Sequence, residues 1–236
     1  MNIENYEVFN FEGALRGMRN PLESWKKSDN YYCLPNECVD CKKCGCGNDD
    51  YMDWTPYKIC DNDINLAQRL ISGGSEHRKF LRQIMVSADI TAPLYWWKEF
   101  DTYKIGTTAN STSTMHKITS KPITLNCFET GDYDPGLQLI DPVHLGIRIS
   151  NFIDDLEQLR QLYIQTKDKK YWKELIRWLP ESWLQTRTVT MNYENLRNIY
   201  SQRSNHKLSE WHYFCNWIKK LPYAKDFICY KNGGNE

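Results

Sequence analysis

Six of the nine cysteines lie between residues 33 and 60, and the spacing of four of them suits the coordination of a metal ion. A Cys-x2-Cys-x2-Cys-x-Cys pattern can present four thiolates to a tetrahedral Zn2+. The segment has few aliphatic side chains, and a bound metal would explain how it becomes ordered. We therefore predict a structural zinc knuckle, with an iron–sulfur cluster and reduced or redox-paired thiols as the alternatives. The four predicted ligands are Cys38, Cys41, Cys44 and Cys46.

Polar residues recur in three further stretches of the chain. The first is Ser75-Glu76-His77, which shortly precedes a phenylalanine. The second begins at Ala92-Pro93, passes through Thr102-Tyr103-Lys104 and ends in the small polar loop 105–114. The third covers residues 176–222 and contains Arg177, Asn192, Asn198 and Arg203. Because the chain has no net charge, any anionic ligand must be held by a local cluster of donors.

In their order and spacing, these stretches resemble the flavin-dependent thymidylate synthases over less than half of the 236 residues. The resemblance implies a helix-rich α+β fold with a thymidylate synthase-complementing-protein-like core. It implies one domain over residues 1–236, in which the Cys-rich segment 33–60 is an insertion. It also implies FAD, a nicotinamide reductant and a folate methylene donor for the reductive methylation of dUMP. The family works as a homotetramer whose sites lie between subunits.

The resemblance assigns a role to each retained polar residue. Arg203 matches the arginine that holds the pyrimidine nucleotide, and His77 matches a histidine beside the flavin and folate; we take both as catalytic candidates. Arg177 is a second candidate for the substrate phosphate. The candidates for cofactor binding are Asn192, Asn198, Lys104, Ser111 and Ser113. The alternative at these positions is a polar side chain on an exposed helix face, a helix-capping side chain or a solvated loop.

Two departures from the family pattern favour a second hypothesis. The family's Arg-His-Arg is replaced by Thr102-Tyr103-Lys104, and the arginine of the following loop is replaced by Thr114. Lysine does not substitute for arginine in bidentate phosphate contacts. We therefore keep, beside an FAD-dependent methyltransferase, a non-catalytic protein that senses or sequesters a nucleotide.

The periodicity of apolar residues predicts the elements that must position these residues. Asp63 is expected to cap a helix that stops at Ser72-Gly73-Gly74. Ser75 is expected to cap a second helix whose buried stripe is formed by Phe80, Leu81, Ile84 and Met85. Further helices are predicted at 152–163, 171–179, 193–202 and 209–220.

Two aromatic and histidine patterns have competing interpretations. Tyr95-Trp96-Trp97 with Phe100 and Tyr103 could stack on a base or flavin, but buried packing is the favoured interpretation. His206 and His212 are six residues apart, a spacing that does not place both on one face of a single helix. We therefore do not predict that they form a metal-binding pair.

The overall composition predicts a folded globule without a general affinity for polyanions. Hydrophobic residues make up 41% of the chain, and 30 basic side chains balance 30 acidic ones. A net charge of zero gives no global field that favours nucleic acid or an acidic membrane. No run approaches the roughly 18 apolar residues of a membrane span, and the start of the chain does not have the pattern of a signal peptide. We expect a cytoplasmic protein whose partner is a small nucleotide.

Overall fold

The chain folds into two compact units in a computed structural model that describes residues 1–33, 57–139 and 143–231. The first unit consists of Met1–Glu4, Asp89–Thr102 and Ala109–Thr188. The second unit consists of Asn5–Ala88, Tyr103–Thr108 and Val189–Glu236. The single domain over 1–236 stays a prediction. Most of the Cys-rich insertion at 33–60, with Cys38, Cys41, Cys44 and Cys46, lies outside the described residues.

The strands form two sheets. One has four strands in the order β1-β4-β6-β5, and the other pairs β2 with β3 in antiparallel fashion. Central strand β4 alternates between buried and half-buried positions, as expected for a strand with one face against the core. The strands are β1 (Asn2–Phe9), β2 (Tyr31–Tyr32), β3 (Tyr57–Lys58), β4 (Met85–Pro93), β5 (Thr108–Ser111) and β6 (Leu184–Asn192).

Helices account for most of the regular structure in the described part of the chain. The predicted fold class, α+β with helices in the majority, is confirmed. The helices are α1 (Phe11–Met18), α2 (Asp61–Ser72), α3 (Leu94–Phe100), α4 (Thr114–Lys117), α5 (Leu145–Thr166), α6 (Lys169–Arg177), α7 (Tyr193–Arg203), α8 (Ser209–Ile218) and α9 (Ala224–Phe227). Within the described ranges, no helix combines the length and apolarity that crossing a membrane requires.

In the first unit, α5 and α6 pack on each other around Leu156 and Leu175, which are both fully buried. Both helices were predicted from their apolar stripes. The aromatic segment in α3 is also buried: Trp96 and Trp97 are 0% exposed and Phe100 is 2% exposed. The favoured interpretation of this segment as core packing is therefore confirmed.

In the second unit, two predicted helix starts are wrong. Helix α2 begins at Asp61, and Asp63 is not its cap. Instead, the buried carboxylate of Asp63 accepts hydrogen bonds from Arg19 Nε at 2.8 Å and from Ser28 Oγ at 2.6 Å. The helix predicted from Ser75 is replaced by a turn, a 3-10 helix at Lys79–Arg82 and strand β4.

The helix predicted from Ser75 is wrong because some spacings of apolar residues fit a helix and a strand equally well. Residues four apart, such as Phe80 and Ile84, fit both a helix face and a strand face. The alternation continues as Val86, Ala88, Ile90 and Ala92, all of which are fully buried. A period of two sustained over that length specifies a strand.

Candidate functional site

A cleft of about 550 Å3 opens within the second unit. Three segments build it: the turn and 3-10 helix after α2, the tip of the 103–108 loop, and the first turns of α7. Among the described residues its lining side chains are polar or charged, apart from one isoleucine and one glycine. The lining residues are Ser75, Arg78, Arg82, Ile105, Gly106, Asn192, Glu194, Asn195 and Asn198.

A capping box fixes the start of α7 at the cleft. Asn192 Oδ1 accepts a hydrogen bond from the backbone N–H of Asn195 at 2.9 Å, and Asn195 Oδ1 accepts one from the N–H of Asn192 at 3.1 Å. The Asn195 side chain also donates from Nδ2 to the carbonyl oxygen of Ile105 at 2.6 Å. One side chain therefore satisfies the helix terminus and holds the loop against it.

Gly106 is needed where this loop meets the cap. Its φ of 79° lies in the left-handed region, which favours glycine. A Cβ at this position would lie 2.9 Å from Asn192 Nδ2 and 3.0 Å from Asn195 Oδ1. The close approach of the loop to α7 therefore depends on the absence of a side chain.

The charged groups of the cleft are two arginines and one glutamate. Arg78 Nε donates to both carboxylate oxygens of Glu194, at 3.0 and 2.9 Å. This pair is largely buried, with side-chain exposures of 19% and 9%. Arg82 is exposed, and its guanidinium makes a long hydrogen bond of 3.4 Å to the carbonyl oxygen of Ser75. The lining side chains therefore carry an excess of one positive charge, located at Arg82.

A third arginine, Arg197, lies near Arg78, although it is not a lining residue of the cleft. Arg197 donates from Nη1 to the carbonyl oxygen of Ile228 at 2.8 Å. Burial lowers the pKa of Arg197, and the positive charge of Arg78 lowers it further. The carboxylate of Glu194 acts on this pKa in the opposite direction.

Arg203, the main catalytic candidate, lies at the end of α7 and is not among the residues that line the cleft. Its Nε donates to the hydroxyl of Tyr103 at 2.9 Å, and its guanidinium lies 4.8 Å from the centroid of the Trp211 ring. The Tyr103 hydroxyl in turn donates to Gln202 Oε1 at 2.9 Å. Arg203 and Gln202 thereby anchor the base of the loop that carries Ile105 and Gly106.

The other predicted site residues divide between the two units. In the second unit, Asn192 and Asn198 line the cleft, and Lys104 is an exposed residue of the loop that forms its rim. His77 is exposed on the preceding turn, where its ring lies against Gly73.

Three predicted site residues belong to the first unit. Ser111 is an exposed residue of β5. Ser113 caps α4, where its Oγ accepts a hydrogen bond from the N–H of His116 at 3.3 Å. Arg177 forms an ion pair with Glu174 at the exposed end of α6.

Sequence reasoning missed Arg78, Arg82, Glu194 and Asn195. A local signal existed for Asn195, since an Asn three residues after an Asn at a helix start can complete a capping box. No local signal existed for the Arg78–Glu194 pair, whose members are separated by 116 residues. In the described ranges, no group of three or more His, Cys, Asp or Glu residues is arranged to hold a metal ion.

Comparison with solved structures shows that the chain has the fold of the flavin-dependent thymidylate synthases. No protein-family model matches the sequence, and no curated protein matches it either. A ThyX from Helicobacter pylori, complexed with FAD and dUMP, is similar with a TM-score of 0.61, 16% identity and coverage of 97% of each chain. A UMP/dUMP methylase, PolB from Streptomyces cacaoi bound with 5-Br UMP, is similar with a TM-score of 0.52 and 13% identity over 71% of this chain and 83% of that one. The fold implied by the resemblance is therefore confirmed.

Proposed function

We propose that this protein binds a phosphorylated pyrimidine nucleotide in the cleft of the second unit. The observation that carries the proposal is the convergence of Arg78 and Arg82 with Asn192 and Asn198 on one cleft. The solved structures of the same fold are complexed with dUMP or with 5-Br UMP. The volume of the cleft, about 550 Å3, lies within the range usual for small-molecule sites.

Arg82 is the phosphate anchor of this proposal. Its guanidinium is exposed at the cleft, and its hydrogen bond to Ser75 is long enough to be exchanged for a better one. A planar guanidinium matches the oxygens of a phosphate in bidentate fashion. Arg78 supports the anion with its charge, while Glu194 fixes the orientation of its side chain through Nε.

Asn198 is the residue proposed to recognise the base. A side-chain amide offers both a donor and an acceptor, which suits the alternating carbonyl and N–H groups on the edge of a uracil. Asn192 and Asn195 are committed to the capping box, whereas Asn198 lies one turn further along the same helix. Ile105, which is 90% exposed, can cover a base face at the rim.

FAD, the cofactor implied by the resemblance, fits part of the same donor set. The ammonium of Lys104 is an exposed cation in the second unit that suits the phosphates of a flavin nucleotide, whereas Asn198, the asparagine that the resemblance places near the flavin, is assigned here to the base. The hydroxyl of Ser113 fits less well, because it already caps α4. When bound and reduced, FAD supplies a hydride. This chain would contribute orientation and charge. The resemblance gives Arg203 the pyrimidine and His77 a place beside the flavin, but Arg203 does not line the cleft and donates to Tyr103, so its role in this proposal is to hold the loop.

Binding without turnover is the second candidate function, and Tyr103 favours it. This residue stands at the centre of the segment that replaces the family's Arg-His-Arg. Its hydroxyl bonds with Arg203 and Gln202, so that it holds α7 and the loop together. Tyr103 therefore holds two parts of the structure together, and it does not replace the positive charge of the family's Arg-His-Arg.

Three further expectations belong to the proposal. Zinc at Cys38, Cys41, Cys44 and Cys46 has no support from the described residues or from the comparisons, and metal analysis of purified protein tests it directly. The homotetramer follows from the resemblance alone, and the cytoplasmic location is an expectation from the sequence pattern. Sedimentation and cell fractionation test them.

Calorimetric titration of the full chain with dUMP and with deoxyuridine tests the nucleotide site. We expect dUMP to bind and deoxyuridine to bind at least about tenfold more weakly, because the phosphate contact is charge-assisted. Arg82→Gln should reduce dUMP affinity by a similar factor. Lys79→Gln is the matched control, since Lys79 is an exposed neighbour on the same 3-10 helix and does not line the cleft.

Equal effects of the two substitutions would refute Arg82 as the anchor, and dUMP that fails to bind would refute the site. The absorbance spectrum of the purified protein, with and without added FAD, decides the cofactor. Flavin retained through gel filtration supports reductive methyl transfer. Binding of dUMP by protein that retains no flavin supports binding without turnover.

A further inference from the structure

A second polar cavity lies elsewhere in the second unit and shares no lining residue with the nucleotide cleft. Its volume is about 480 Å3, and it opens between the link that follows α7 and one face of α8. Each of its lining side chains carries a hydrogen-bonding group or a thiol. They are Ser204, Asn205, His206, His212, Cys215, Asn216 and Lys219.

The register of α8 explains why these groups converge. His212, Cys215, Asn216 and Lys219 follow the spacing i, i+3, i+4 and i+7, which places them along one helix face. His206 joins them because it precedes α8 and therefore does not obey the helical period. The two histidines do not share a helix face, as expected from their spacing, and they line one cavity because His206 lies in the link before α8.

Local hydrogen bonds prepare donors at this cavity. Nδ1 of His206 accepts a hydrogen bond from the N–H of Leu208 at 3.2 Å, so the neutral ring carries its proton on Nε2. Lys219 Nζ donates to Asn216 Oδ1 at 3.2 Å, which uses one of its three N–H bonds. The bond to Asn216 also holds the ammonium over the cavity-lining face.

The charge of the cavity is positive. No carboxylate is among its described lining residues, and Lys219 supplies a full positive charge. The thiol of Cys215 adds no negative charge at neutral pH, because burial raises its pKa to about 11. A cavity with a cation, imidazoles and amides but no acid is suited to an anion.

A metal ion does not fit this arrangement. The cavity contains two histidines and a cysteine, yet the described residues hold no group of three such side chains in a metal-binding geometry.

We propose that this cavity is a second ligand site, which binds the phosphate group of a small phosphorylated molecule. Lys219 provides the charge, and His206, His212 and the amides of Asn205 and Asn216 provide directed donors. The proposal does not depend on the nucleotide cleft, with which the cavity shares no residue.

Calorimetry in a buffer free of phosphate tests the proposal, using the full chain in an Arg82→Gln background so that the cleft contributes least. The titrants are inorganic phosphate, ribose 5-phosphate and ribose. We expect saturable binding of a phosphorylated titrant and none of ribose. Tighter binding of ribose 5-phosphate than of inorganic phosphate would identify a phosphomonoester as the ligand, and the reverse order would identify the free anion.

Lys219→Gln should weaken that binding at least about tenfold, because it removes a charge-assisted contact. Lys220→Gln is the control, since Lys220 is the adjacent exposed lysine and does not line the cavity. Both lysines are exposed, so neither substitution should prevent folding. Absence of saturable heat up to about 10 mM of each phosphorylated titrant, a concentration that corresponds to very weak binding, would overturn the proposal. Equal affinities of the two variants would overturn it as well.

Discussion

Replacing Glu194 with glutamine should tighten nucleotide binding while it destabilises the fold. The Glu194 carboxylate accepts two hydrogen bonds from Arg78 and is 9% exposed. Removal of its charge leaves Arg78 with a weaker partner in a mostly buried position. Because hydrogen bonds between charged groups contribute more than neutral ones, we expect unfolding to become easier by about 1–3 kcal/mol.

The effect on binding has the opposite sign. With Glu194 neutral, the excess charge of the lining residues rises from one positive charge to two. One added unit charge about 8 Å from a phosphate is worth about 2 kcal/mol at an effective dielectric constant of about 20. Screening in an open cleft reduces this, so we expect dUMP to bind roughly three- to tenfold more tightly at low salt.

Two measurements test this reasoning on Glu194→Gln. Thermal unfolding should show the lower stability, and calorimetry at low and high salt should show the tighter binding and its loss with screening. Glu76→Gln is the control, because Glu76 is an exposed carboxylate on the preceding turn that does not line the cleft. Weaker dUMP binding by Glu194→Gln at low salt would refute this reasoning, since it would mean that the orientation which Glu194 gives Arg78, or a direct contact of Glu194 with the ligand, outweighs the removed negative charge.

Three further predictions concern separate features. Gly106→Ala should cost about 1–3 kcal/mol of stability, as seen by thermal unfolding, and should weaken dUMP binding, because φ is positive there and Asn192 leaves no space. The Arg160 guanidinium holds the pKa of Glu157 at about 2, below its usual 4.5. Because Glu157 is partly exposed, we expect this interaction to stabilise the fold by about 1–2 kcal/mol. That stabilisation is present above pH 4.5 and is lost as the pH falls through about 2. Cys215 should resist iodoacetamide at pH 7.5, as read by peptide mass spectrometry, because burial keeps its thiol protonated.

Each of these has its own control. Gly74→Ala also replaces a glycine with positive φ, but no heavy atom lies within 4 Å of the added Cβ, so it isolates the backbone cost from the contact. Glu157→Gln should flatten the acid limb of the stability profile, and an unchanged limb would contradict the assignment. Cys127, which is less buried, should be alkylated first; faster reaction at Cys215 would contradict the burial argument.

The spacing of apolar residues predicted the secondary structure correctly where it fitted only one of the two periods, that of a helix or that of a strand. The stripe around Leu156 specified α5, and the aromatic run at Trp96 specified buried packing. It failed where two periods coincided, as at Phe80 and Ile84, and where a carboxylate that could cap a helix found a distant arginine instead, as Asp63 found Arg19. Strand β6 was not predicted either, because the region was interpreted from the helices predicted on both sides of it.

The candidate site was predicted only in part. Asn192 and Asn198 were found by resemblance and line the cleft, but Arg78 and Glu194 were not found. Their pairing joins two distant segments of the chain, and local patterns cannot reveal a contact that exists only after folding. The single polar residues found from the sequence therefore placed the site on α7, but they did not identify the residues that set the charge of the cleft.

The hydrogen bonds of the Tyr103 hydroxyl limit which substitutions this chain can accept during evolution. Because it bonds to both Arg203 and Gln202, replacing it with the histidine of the Arg-His-Arg motif would remove a shared partner before any arginine had been restored beside it. The contacts of Tyr103 with Arg203 and Gln202 share one oxygen atom and would be lost together. Single substitutions from this segment toward Arg-His-Arg would therefore each cost stability. Acquiring the Arg-His-Arg motif at this position would then require several coordinated replacements. The contacts of Tyr103 that hold the loop thereby oppose each single step toward that motif.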